Sequence, residues 1–69
     1  METLVLREEY IKLGQAIKAA GFVSTGVEAK IVIQNGEVLL NGEVEVQRGK
    51  KLYDGDIVSY NGQELKIVK

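Results

Sequence analysis

VLLNGEVEVQRGKKLYDGD, residues 38–56, changes character in its middle. Up to Val46, apolar and polar residues alternate around Asn41-Gly42, a pair that favours a type I′ turn because both residues tolerate positive φ. Val38 and Leu40 are therefore expected to pair with Val44 and Val46 in a tight antiparallel hairpin. From Gln47 the alternation stops, and Arg48, Lys50 and Lys51 crowd into four residues around Gly49. A solvated loop that keeps a sheet edge soluble has this composition. So does half of a site for an anion: arginine gives a planar fork, lysine a mobile point charge, and glycine lets the backbone approach closely.

Downstream the hairpin device repeats, with residues 57–60 and 64–69 flanking Asn61-Gly62 and Gln63 beside it. Residues 47–56 read as a polar connection between the two hairpins. Within it, Asp54-Gly55-Asp56 reads as a tight turn, since magnesium or calcium needs more oxygen ligands than two aspartates supply.

Upstream the period is that of helices. Tyr10, Leu13, Ile17 and Ala20, with Ala16 beside them, mark one apolar face of a helix beginning near Glu8, with Glu8 and Glu9 at its positive end and Gly21 at its C-cap. Lys12, Gln15 and Lys18 fall on the opposite side, facing solvent. A second helix follows. Thr25 and Glu28 have capping-box spacing, with Ser24 as an alternative N-cap, and Asn35-Gly36 is its stop. Its core face is Ala29, Val32 and Ile33, and Lys30 points away from it. Val27 and Ile31 form a second apolar strip, either packed on another element or exposed as a contact surface. Residues 3–6 are apolar enough for a short strand. The expected fold class is α+β: two N-terminal helices packed on a small antiparallel sheet of hairpins, in one domain spanning residues 1–69.

Composition narrows the chemistry. At 69 residues the chain lies near the lower limit for a domain without a staple, and it has no cysteine to provide one. It has no histidine either, so the usual neutral-pH base and the best nucleophile are both missing. So short a chain scarcely encloses a substrate pocket, and the expectation is no enzyme, no cofactor, no metal and no small-molecule substrate. No apolar run reaches the roughly 20 residues of a membrane span, and METLVLREEY lacks a signal-peptide layout. A cytoplasmic protein without a membrane partner is expected.

The net charge of −1 hides an uneven distribution. Lys12, Lys18 and Lys30 against Glu28 give residues 12–34 a charge of +2, and Arg48, Lys50 and Lys51 give residues 46–53 a charge of +3. Arg7, Lys66 and Lys69 against nine acids give the remainder −6. Helices packed beside the first hairpin would join the two positive portions into one face, and local field governs association with a polyanion. The aromatics are too dispersed to suggest a base-stacking platform: Tyr10 and Phe22 read as core, and Tyr53 either stacks or packs.

In that order of helix, helix and hairpin, residues 10–60 resemble the S4 domain, an RNA-binding module of a small-subunit ribosomal protein, pseudouridine synthases and tyrosyl-tRNA synthetases. The likeness is greatest to small stand-alone bacterial S4 proteins of the YaaA/YbcJ type. It is carried by Ala29-Lys30, by Gly36-x-Val38 leading into Leu40-Asn41-Gly42, by the basic run, and by Gly55-Asp56. The resemblance implies binding of structured RNA, of ribosomal or transfer class, through both helices and the loop after the hairpin. It places Lys12 where many S4 domains have an arginine, Lys30 at the basic position after the alanine, and Arg48, Lys50 and Lys51 in the basic segment. Gly14 stands in place of the usual aspartate and Thr25-Gly26 in place of Ser-Arg, which removes one phosphate fork. Gly26 would leave helix N-terminal amides open to a phosphate instead. Lys18, on the solvent side of the first helix, joins these as a candidate contact. The rival readings are a protein-interaction module built on Val27 and Ile31 or the sheet edge, and a DNA-associated accessory protein using the same cations.

Overall fold

The computed structural model describes all 69 residues. In chain order the elements are β1 (Glu2–Val5), β2 (Ile11–Lys12), α1 (Leu13–Ala19), α2 (Gly26–Gln34), β3 (Val38–Leu40), β4 (Glu43–Val44), β5 (Lys51–Leu52), β6 (Ile57–Tyr60) and β7 (Gln63–Val68). Five strands form one sheet in the order β1-β7-β6-β3-β4, and β2 pairs with β5 in a separate two-stranded ladder.

Both hairpins form where the Asn-Gly pairs place them. Asn41 and Gly42 have φ of 52° and 86°, and Asn61 and Gly62 have 50° and 78°, the signs a type I′ turn requires. The register puts Leu40 opposite Val58, and Val58 opposite Leu65 on its other side. That row continues the inward face of the sheet, where Val38, Val58, Leu65 and Ile67 are completely or almost completely buried. Against it pack Leu13, Ala16 and Ile17 of α1 and Ala29, Val32 and Ile33 of α2. All 13 buried residues are apolar.

The second helix starts as its composition dictates. Thr25 Oγ1 accepts from Glu28 N–H at 3.0 Å, and Glu28 Oε1 accepts from Ser24 N–H at 2.7 Å, so the cap is reciprocal but reaches back one residue further than a simple capping box. At its C-terminus Gly36, not Asn35, takes the positive φ, at 77°.

Four expectations need correction. The first helix begins at Leu13 rather than near Glu8, because residues 11–12 are taken into the β2–β5 ladder; Glu8 and Glu9 lie outside its first turn. The helices are therefore preceded by two strands, and the sheet is mixed, since β1 runs parallel to β7 with Leu4 opposite Ile67. The polar connection contains β5, whose Leu52 is completely buried. Val44 pairs with Leu39 rather than with Val38 or Leu40, and β4 ends before Val46, so both valines lie at the surface; the Val27 and Ile31 strip is exposed, at 68% and 52%.

The turn makes a testable claim. A Cβ at Gly42 would meet nothing within 4 Å, so Gly42→Val adds backbone strain and no collision. It is expected to cost about 1–3 kcal/mol, with each kcal/mol worth about 4–8 °C in a domain this size. Gly26→Ala, also in open space but with ordinary helical φ, is expected to gain about 0.4–1 kcal/mol. Thermal melts of the two variants check both signs.

Candidate nucleic-acid interface

The basic loop is tied down at both ends. At its start, Leu13 N–H donates to the Lys50 carbonyl at 2.8 Å and Gly14 N–H to the Arg48 carbonyl at 2.9 Å. These are first-turn amides of α1, which lack partners within the helix. A Cβ on Gly14 would touch Arg48 Cβ and its carbonyl oxygen at 3.5 Å, so the loop backbone lies directly over this residue. Lys50 N–H donates to the Gln47 carbonyl at 3.1 Å, which closes a turn with Arg48 and Gly49 at its tip.

At the loop's end, Asp56 Oδ2 accepts from Tyr53 N–H at 2.8 Å and Asp56 Oδ1 accepts from Asn41 Nδ2 at 3.0 Å. Asn41 Oδ1 in turn accepts from Ile57 N–H at 2.9 Å. Asp54 Oδ1 accepts from Lys69 N–H at 2.9 Å. The Asp54-Gly55-Asp56 carboxylates thus fasten a turn, as expected, with Gly55 at φ 96°. Asn41 does more than turn a hairpin, because it couples that turn to the far end of the basic loop. Nothing in the sequence signals this pairing between two separate turns.

Between these anchors the β2–β5 ladder sets Lys12 directly opposite Lys51 and Ile11 opposite Leu52. Side chains alternate across a strand, so Ile11 and Leu52 turn inward while both lysines turn out. Lys12, Arg48, Lys50 and Lys51 are thereby gathered from two distant segments, and all four are exposed. None has a carboxylate within 4 Å: the ion pair of the protein is Lys69 with Glu9, at 3.0 Å. The acids are nevertheless not all elsewhere. Glu43, Glu45 and Asp56 line the open hollow that Lys50 and Lys51 share with the first hairpin, which bounds the cationic patch on that side.

Of the other candidate residues, Lys18 is exposed on α1 and lines a shallow hollow with Tyr10 and Gln15. Lys30 is exposed on α2, and Thr25 and Gly26 stand at that helix's N-terminus. No hydrogen bond ties these residues to the basic loop. The space beside Gly26 is open, but the Glu28 carboxylate already occupies the positive end of α2 and opposes a phosphate there.

The aromatic expectation also changes. Tyr10 is at the surface rather than in the core, and its ring lies 6.1 Å from that of Tyr53, with Lys51 Nζ 4.8 Å from the Tyr10 centroid. Phe22 is half-buried beside Tyr60, 6.4 Å away.

Comparison with known proteins fits this framework. The S4 domain family model matches residues 4–68. The chain belongs to the S4 domain family. A relative from Bacillus subtilis, named "Probable ribosome maturation protein RlbA", is 44% identical over 54 residues, covering 78% of this chain and 76% of that protein. The Escherichia coli protein named "Putative RNA-binding protein YbcJ" is 31% identical over 62 residues, covering 90% of this chain and 89% of its own length. The solution structure of YbcJ, described as revealing an αL motif involved in RNA-binding, superposes with a TM-score of 0.76 over 100% of this chain and 89% of that one. The S4 match therefore extends beyond residues 10–60 and takes in the second half of β1 and all of β7.

Burial separates what holds the loop from what it displays. Leu52→Ala empties a completely buried site and is expected to cost about 2–5 kcal/mol. Lys50→Ala, at an exposed loop position, should stay within about 0.5 kcal/mol of the parent. Urea denaturation of both variants tests this division.

Proposed function

We propose that this S4-domain chain is a non-catalytic protein of the cytoplasm that binds structured RNA, of ribosomal or transfer class, by the position of its phosphates. The observation that carries the proposal is the set of four unpaired cations, Lys12, Arg48, Lys50 and Lys51, which the β2–β5 ladder and the α1 amides hold in fixed relation. A carbonyl-anchored loop presents its charges with little ordering left to do on binding, which favours phosphate contact over a freely solvated loop. Lys18 and Lys30, exposed on the two helices, are proposed as additional phosphate contacts. Phosphate contacts position a protein without reading sequence, and A-form RNA is recognised largely by shape. The names borne by the relatives, RNA-binding protein and ribosome maturation protein, agree with RNA as the partner.

A second reading rests on the exposed Val27 and Ile31, an apolar strip suited to a protein partner. The two readings respond differently to substitution. With four phosphate contacts at about −0.7 to −0.9 each, log K for a structured RNA is expected to change by roughly −2.8 to −3.6 per decade of salt. Changing Lys50 and Lys51 together to alanine should flatten that slope by about 1.4–1.8 and weaken different structured RNAs alike. Ile31→Asp should leave RNA binding unchanged. Binding isotherms across a salt series decide: a slope untouched by loss of both lysines would remove the loop from the interface.

A further inference from the structure

The β2–β5 ladder has an outward face that phosphate contact alone does not explain. Its register pairs Lys12 with Lys51 and Ile11 with Leu52, and just beyond the strands' ends the rings of Tyr10 and Tyr53 lie together. Alternation then sorts the six side chains. Ile11 and Leu52 turn to the core, where Leu52 is completely buried. Tyr10, Lys12, Lys51 and Tyr53 share the other face, and the two tyrosines are 37% and 46% exposed. Their rings meet at 6.1 Å and 50°, the tilted arrangement in which one aromatic supports another. Lys51 Nζ covers the Tyr10 ring at 4.8 Å, so Tyr53 is the more open of the two rings.

We propose that Tyr53, backed by Tyr10, is a stacking site for one unpaired nucleobase, whose flanking phosphates lie against Lys51 and Lys12. This rests on the RNA-binding reading and refines it: the preferred ligand is a duplex interrupted by a bulge, loop or unpaired end. Three features favour a base over a purely structural tyrosine pair. The rings stand beside unpaired cations rather than within the apolar cluster, which excludes both tyrosines. A hydroxyl-bearing ring tolerates water while offering a flat apolar face, the combination used for splayed-out bases. The Asp56 bond to Tyr53 N–H fixes the backbone that carries the ring, so the platform is held before ligand arrives. Asn41, which lines the same hollow as Tyr53, directs its side-chain amide to Asp56 and Ile57, and stacking is accordingly expected to be indifferent to base identity.

The test uses the full chain and two RNAs with the same stem, one fully paired and one carrying a single unpaired adenosine. The unmodified protein should prefer the bulged RNA. Tyr53→Leu should weaken that complex by about 5- to 150-fold, the range expected for one stacked base, and leave the paired stem within about twofold with its salt slope intact. Tyr53→Phe, which keeps the ring, should bind as the parent does. Tyr53 ring protons should move upfield on titration with the bulged RNA only. Equal losses on both RNAs, or no loss with Tyr53→Leu, would overturn the stacking site while leaving phosphate binding in place. Absence of binding to either RNA would sink the underlying reading as well. Should Tyr53→Leu fail to fold, the ring-proton shift in the unmodified protein decides, and unmoved ring protons count against the proposal.

Discussion

Everything distinctive about this small domain hangs on a four-residue ladder. Ile11 and Lys12 pair with Lys51 and Leu52, and the Leu13 and Gly14 amides extend the pairing to the Lys50 and Arg48 carbonyls. One side of this clasp is Leu52, buried in the core; the other is a row of cations and tyrosines. The same backbone bonds that satisfy the start of α1 therefore decide where the basic loop goes. Without the clasp, residues 47–56 would be a solvated connection and their charges would have no common direction. With it, Lys12 reaches the loop across some forty positions of sequence.

The electrostatic consequence does not follow from net charge. A protein of net charge −1 keeps four cations free of carboxylates at the clasp, while Glu43, Glu45 and Asp56 line the hollow beside Lys50 and Lys51. That arrangement is bounded rather than diffuse. A phosphate backbone following the cations meets repulsion if it strays toward the first hairpin, so charge can set the track of the ligand as well as its affinity. The αL/S4 architecture shared with YbcJ supplies the scaffold, and the clasp determines which of this chain's own residues the scaffold displays.

The sequence disclosed what is local. Both hairpins follow from alternation around Asn-Gly, where positive φ at Asn41, Gly42, Asn61 and Gly62 is a property of the residues themselves. The α2 cap follows from Thr25 and Glu28, two positions three residues apart that interact without help from elsewhere. What stayed hidden depends on distant pairing. Residues 10–20 have a good helical period, but β5 claims Ile11 and Lys12 for a ladder, which shortens α1 and carries Tyr10 to the surface. The parallel β1–β7 pairing has no turn to announce it, because its partners lie at opposite ends of the chain. Leu52, a lone apolar residue in a polar stretch, was the one local sign of β5. For the interface, the basic residues were readable as a cluster, whereas the Asn41–Asp56 tie and the Tyr10–Tyr53 contact required the register of two strands.

The account's central claim is that the clasp presents the RNA-facing surface, and amide chemical-shift mapping tests it most directly. The uniformly 15N-labelled full chain would be titrated with a stem-loop RNA at moderate salt. Perturbations should concentrate at residues 10–14 and 48–53, on the two sides of one ladder, with smaller changes along the exposed sides of α1 and α2. Shifts confined to Val27, Ile31 and their neighbours, with Lys12, Arg48, Lys50 and Lys51 unmoved, would contradict the account.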